Sequence, residues 1–101
     1  MALLKTITLP DGTEANYHKI NEVRFVHPSA IANNVNTHYD FIIKVYSYAS
    51  QEARSKGEYN HILTSTVRGY RDAEIVENSN IMAIAYQIVL EDPEFSGAER
   101  V

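Results

Sequence analysis

Four histidines, His18, His27, His38 and His61, come first for chemistry, because imidazole ligates metals and moves protons near neutral pH. Their spacing fits no ligand set: the chain has neither His-Glu-x-x-His nor His-x-His. Each falls at a predicted strand end or loop, where a histidine serves as a polar edge residue. Paired carboxylates are the next possibility, since acid–base catalysis needs two of them held together with their pKa values pushed apart. Glu91, Asp92 and Glu94 cluster at the end of a predicted helix, where the dipole disfavours acids, so they read as a solvated tail. Asp72, Glu74 and Glu77 precede that helix, where negative charge is stabilising. The hydroxyls that could act as nucleophiles, Ser47, Ser50, Ser65 and Thr66, sit in no Gly-x-Ser-x-Gly elbow. Gly12, Gly57, Gly69 and Gly97 are isolated from one another and build no phosphate-cradling loop. The absence of cysteine removes thiolate metal sites, a cysteine nucleophile and a disulfide framework together, and fits folding in a reducing cytoplasm. No catalytic, cofactor-binding or metal-ligating residue is assigned, and the chain does not read as an enzyme.

The elements that would carry a site are clearer. Lys5 to Leu9 alternates polar and apolar, and Pro10-Asp11-Gly12 supplies a preset turn dihedral followed by a positive one. With Thr13 to Tyr17 this predicts an N-terminal β-hairpin. Ile20 to Val26 reads as a third strand ended by His27-Pro28. Ser29 to His38, with three asparagines, reads as a loop in which Ala30-Ile31-Ala32 could make a helical turn. Tyr39 to Tyr48 is the strongest strand, with Phe41, Ile43 and Val45 on one face and Ile42, Lys44, Tyr46 and Tyr48 on the other. Ser50 to Gly57 has a capping serine and a terminating glycine and predicts one helical turn. Ile62 to Tyr70 resumes the strand pattern, with Gly69 weakening or bulging its end.

Beyond that the period changes. Ile81, Ile84, Ala85 and Ile88 repeat at helical spacing behind Asn78, Ser79 or Asn80, any of which can cap the start, and Pro93 stops the helix near Asp92. The expected fold is therefore α+β: a mainly antiparallel sheet of about five strands, with an N-terminal hairpin and one C-terminal amphipathic helix. Residues 1–101 make one domain, and 94–101 read as a loose tail with the single anchor Phe95.

Composition narrows the partners. The net charge of −4 and the scattered bases give no basic footprint for nucleic acid. No apolar run approaches the ~20 residues that span a bilayer, and Met1 to Lys5 turns polar too soon for a signal peptide. The seven tyrosines are the distinctive excess. Tyrosine is amphipathic and enriched where proteins meet, although it also rims ordinary cores. Tyr39, Ile42, Tyr46, Tyr48 and Tyr70 form the candidate interface, because one short helix leaves the second face of the sheet without a cover.

Three stretches carry a resemblance to a known group. Lys5-Thr6-Ile7-Thr8-Leu9-Pro10-Asp11-Gly12 with Tyr17-His18-Lys19-Ile20, Val45-Tyr46-Ser47-Tyr48 with Glu52-Ala53-Arg54 and Gly57, and Ala85-Tyr86 through Pro93-Glu94-Phe95-Ser96-Gly97-Ala98 together resemble small bacteriophage tail- and baseplate-associated structural proteins. The resemblance implies a virion protein made in the bacterial host cytoplasm, oligomeric, and packed against itself or other tail proteins. It transfers no functional residue. The rival expectation is a phage accessory protein that binds and inhibits a host factor, which the small size and acidity suit equally.

Overall fold

The computed structural model describes residues 1–26 and 38–101. Its five strands form one antiparallel sheet: β1 (Leu3–Thr8), β2 (Glu14–Val26), β3 (His38–Tyr48), β4 (Leu63–Asp72) and β5 (Glu99–Arg100), in the spatial order β4-β3-β2-β1-β5. Three helices join them: α1 (Gln51–Ser55), α2 (Ala73–Glu77) and α3 (Ile81–Glu91). The fold is α+β and mainly sheet. His27 and the predicted loop from Ser29, with its possible turn at Ala30–Ala32, lie outside the described residues except for His38, which opens β3.

The hairpin turns for the predicted reason. The Asp11 carboxylate accepts the Thr13 N–H at 2.9 Å, and Gly12 takes φ 88°, a conformation that costs other residues a Cβ clash. Two predicted strands prove to be one. β2 runs from Glu14 through Val26, and the polar pair His18–Lys19 that had divided it lies inside the ladder, opposite Ser47 and Tyr46. Its ladder with β3 is interrupted by one register shift, between Ile20 and Glu22, a bulge that bends a long strand without ending it.

The fifth strand comes instead from the expected loose tail. Glu99 and Arg100 pair with Leu4 and Leu3, and Ala2 and Val101 exchange two 2.9 Å backbone hydrogen bonds. Phe95 is fully buried, and Lys5 Nζ donates to the Ser96 carbonyl at 2.8 Å. The tail is thus fixed by one large apolar anchor and by backbone pairing, neither of which depends on the identity of its polar residues.

Alternation along β3 sorts the sheet into two faces. Phe41, Ile43 and Val45 join Val67 of β4 and Ile20 of β2 beneath α3, whose Ile84, Ala85, Tyr86, Ile88 and Val89 are buried. Isoleucine and valine are only fair helix formers, but burying each is worth about 1.5–3 kcal/mol, so packing decides the conformation of α3. Asn80 caps it by accepting from the N–H groups of Met82 and Ala83. Tyr86 ties the helix to the N-terminus and to β2: its hydroxyl donates to the Met1 carbonyl at 2.9 Å and accepts from the Ile20 N–H at 3.3 Å.

Gly69 does not bulge β4, which stays in register with β3 from Leu63 to Asp72. A Cβ at that position would stand 2.7 Å from Ile88 Cγ2, so the glycine is the gap into which the helix settles. Immediately after β4, α2 adds a second short cover on the same side as α3, with Val76 in the core.

Candidate functional site

Among the described residues, the opposite face of the sheet is covered only at one end. There α1 folds back and Ala53 packs with Tyr48, Tyr17 and Ala2 in a second, smaller core. Ser50 starts α1 by accepting the Ala53 N–H at 3.1 Å. The Arg54 guanidinium lies 5.8 Å from the Tyr48 ring centroid, and His61 stacks on Tyr46 at 3.9 Å. Beyond this cap the face continues as three cross-strand rows. They read Glu22–Lys44–Thr66, then Arg24–Ile42–Arg68, then Val26–Asp40–Tyr70 across β2, β3 and β4. Val26 and Tyr70 are 55% and 65% exposed, and with Ile42 they line a shallow trough on the sheet surface.

The five candidate interface residues therefore separate. Ile42, Tyr46 and Tyr70 lie on the open face. Tyr48, which shares their alternation, is 1% exposed because α1 closes over it, and it offers no surface to a partner. Tyr39 belongs to the other face, since it stands in line with Phe41 and Ile43. Its ring meets Phe25 edge-on at 5.7 Å, and its hydroxyl donates to Glu77 Oε1 at 3.5 Å. Sequence reading missed Val26, Arg24 and Arg68, which complete the trough; the signal available was their place opposite Asp40 and Ile42, which needs the register.

Charge on this face is partly matched. Glu22 bridges Lys44 at 3.5 Å and Arg24 at 4.0 Å, and Asp40 faces His38 at 3.7 Å. These are exposed pairs, each worth little against solvent. Among the described residues Arg68 and Lys19 face no acid within ion-pair distance.

One arrangement has the look of catalysis and lacks its access. Ser47 Oγ lies 2.7 Å from His18 Nδ1, and His18 Nε2 lies 2.6 Å from the Lys5 carbonyl oxygen. A carbonyl only accepts, so Nε2 carries the proton and Nδ1 accepts from the serine hydroxyl, the geometry of an activated nucleophile. Both side chains are fully buried, with Phe95 edge-on to the imidazole at 5.3 Å. No substrate carbonyl can reach Ser47, and the pair functions as a satisfied polar bridge between β1, β2 and β3. Burial pushes the His18 pKa below its ordinary value, which keeps the ring neutral.

The other described histidines lie apart from it, His61 on Tyr46 and His38 beside Tyr70, and among the described residues no three of His, Asp or Glu converge on a metal position. No helix among those residues is long and apolar enough to cross a membrane. Comparison with protein-family models, with curated proteins and with solved structures found no match to this chain.

Proposed function

We propose that this protein is a structural subunit of a bacteriophage tail or baseplate, and that it works by packing the open face of its sheet against another protein. The observation that carries the proposal is the trough at Val26, Ile42 and Tyr70. It presents apolar groups on a strand surface that no element among the described residues covers, edged by Arg24, Lys44 and Arg68. An apolar centre inside a charged rim is how protein–protein interfaces are built. Arginine and tyrosine are also the residue types that most often dominate their energy. The tail and baseplate setting rests on the resemblance in the hairpin, the Val45–Tyr48 strand and the closing helix with its tail.

Mass spectrometry of purified phage particles tests this reading. The protein should be recovered at a fixed ratio to the major tail proteins, and Ile42→Asp should remove it from particles while leaving the melting temperature of the isolated protein within a few degrees. Particles that lack the wild-type protein, or that take up Ile42→Asp normally, would contradict it.

A further inference from the structure

We infer that two copies of this chain join edge to edge through β4, antiparallel about a twofold axis at Thr66, so that their two sheets become one. This surface is separate from the open face, and neither reading depends on the other.

The two edges of the sheet differ. β5 closes one with two residues, whereas β4 ends the other with ten that stay in register with β3 throughout. β4 contains no proline, lysine or bulge, the features that guard a free edge against pairing. In an antiparallel ladder the N–H and C=O of one residue turn to the same side, and successive residues alternate. Tyr70 belongs to the outward set, because its carbonyl accepts from Arg71 Nη1 at 2.8 Å. The far side of the sheet agrees: the Ile20 N–H goes to Tyr86 on the β1 side of β2, which turns Lys19 and Tyr46 towards each other and Val45 towards Ser65. Thr64, Thr66 and Arg68 therefore face outward with Tyr70, and among the described residues no backbone group pairs with theirs. At the ends, Arg71 takes the Tyr70 carbonyl and the Ile62 N–H turns back to the Ser47 carbonyl at 2.8 Å. The unpaired run is centred on Thr66.

Such an edge receives an extended strand, and β4 is its own complement. With Thr66 on the axis, Thr66 meets Thr66, Thr64 meets Arg68 and Ser65 meets Val67 of the other copy, and the close pairs add about six main-chain hydrogen bonds. Leu63, which belongs to neither core cluster, comes opposite Gly69. The missing side chain there borders a recess of about 230 Å³ against Ile88 and Pro93, with room for a leucine. Tyr70 and Ile62, 65% and 39% exposed, come together at each end. Neighbouring registers fit worse. An axis at Arg68 opposes two guanidinium groups, and like charges directly opposite are destabilising. An axis at Val67 sets Leu63 against Arg71 and turns Thr64 to Tyr70, whose carbonyl is already taken. The acid nearest the axis, Glu94, is exposed on the helical side, held by Ser65 at 3.2 Å and screened there by solvent. The contact is isologous and closes at two copies. Both Val26–Ile42–Tyr70 troughs then open on the same side of the joined sheet.

The chain has no cysteine, so single-cysteine variants read the register directly. Wild-type protein should have the mass of a dimer by light scattering at about 10 μM, so that association at higher concentration reports the open face. Thr66→Cys should form a disulfide-linked dimer on mild oxidation, since the Cα atoms of a close pair lie about 5.5 Å apart. Arg68→Cys, at least about 13 Å from its counterpart in this register, should not. Thr66→Pro removes only an unpaired N–H and should give a monomer whose melting temperature stays within a few degrees. A wild-type monomer at that concentration, a dimer that survives Thr66→Pro, or a Thr66→Cys that links no more readily than Arg68→Cys would each overturn the inference. Ile42→Asp should leave this dimer intact, so its loss from particles tests the docking face alone and the two readings fail separately.

Discussion

Ile42 and Ile43 are adjacent, identical in chemistry and on the same central strand, yet they do opposite work. Ile43 is fully buried beneath α3, while Ile42 lies on the open face between two arginines. The pleat assigns alternate residues to opposite sides; what separates the two isoleucines is the cover supplied by elements elsewhere in the chain. One face of the sheet holds the fold together, and the other, open among the described residues, is the one we propose for a partner. The contrast extends along the whole strand, since Tyr48 starts on the open side and is claimed by α1, whereas Tyr46 is only partly covered by His61.

The largest expected effect tests whether the tail belongs to the holding face. Phe95→Ala should cost about 3–5 kcal/mol of stability, measured by urea unfolding, because it empties a site among Leu3, His18 and the α3 side chains. A loss below about 1 kcal/mol would return residues 94–101 to the status of a loose tail.

The isoleucine pair gives the contrast its direct form. Ile43→Ala should cost about 2–5 kcal/mol. Ile42→Ala, at a site with no cavity to leave, should stay within about 1 kcal/mol in the isolated protein and weaken association. Equal losses would mean that both faces are core.

The smallest effect concerns acid. His18 is held neutral with its pKa lowered in the folded state, chiefly by burial. In the unfolded chain the ring takes up a proton near pH 6.5. The neutral ring therefore contributes its full stability above that pH, and the contribution is lost as pH falls from there towards the folded value. The melting temperature should drop between pH 7.5 and 5.5. His18→Gln, although less stable at pH 7.5, should show a shallower drop over the same interval. Identical slopes would show that the ring is not the acid-sensitive group.

Much of the holding face was legible in sequence. The hairpin announced itself through Pro10-Asp11-Gly12, β3 through its alternation, and α3 through Ile81, Ile84 and Ile88 at helical spacing. The failures share a cause, which is contact between distant residues. His18 looked like an edge residue because its partner Ser47 is supplied by register with β3, 29 positions away. Glu99 and Arg100 looked unstructured because their pairing with β1 is made by backbone groups that carry no side-chain signature. Gly69 looked like a defect because the reason for it, Ile88, belongs to another element. On the open face Ile42, Tyr46 and Tyr70 were legible by alternation and composition, while the arginines beside Ile42 were not, since cross-strand neighbours follow only from register.

The most direct measurement is a dilution series followed by methyl chemical shifts, which reports the two faces of one strand separately. Association through the open face predicts that the methyl groups of Val26 and Ile42 shift with concentration, while those of Ile43, Val45, Val67 and Ile84 hold still. Open-face methyl groups that do not move while the protein associates, or core methyl groups that move as much, would contradict the division of labour between the faces.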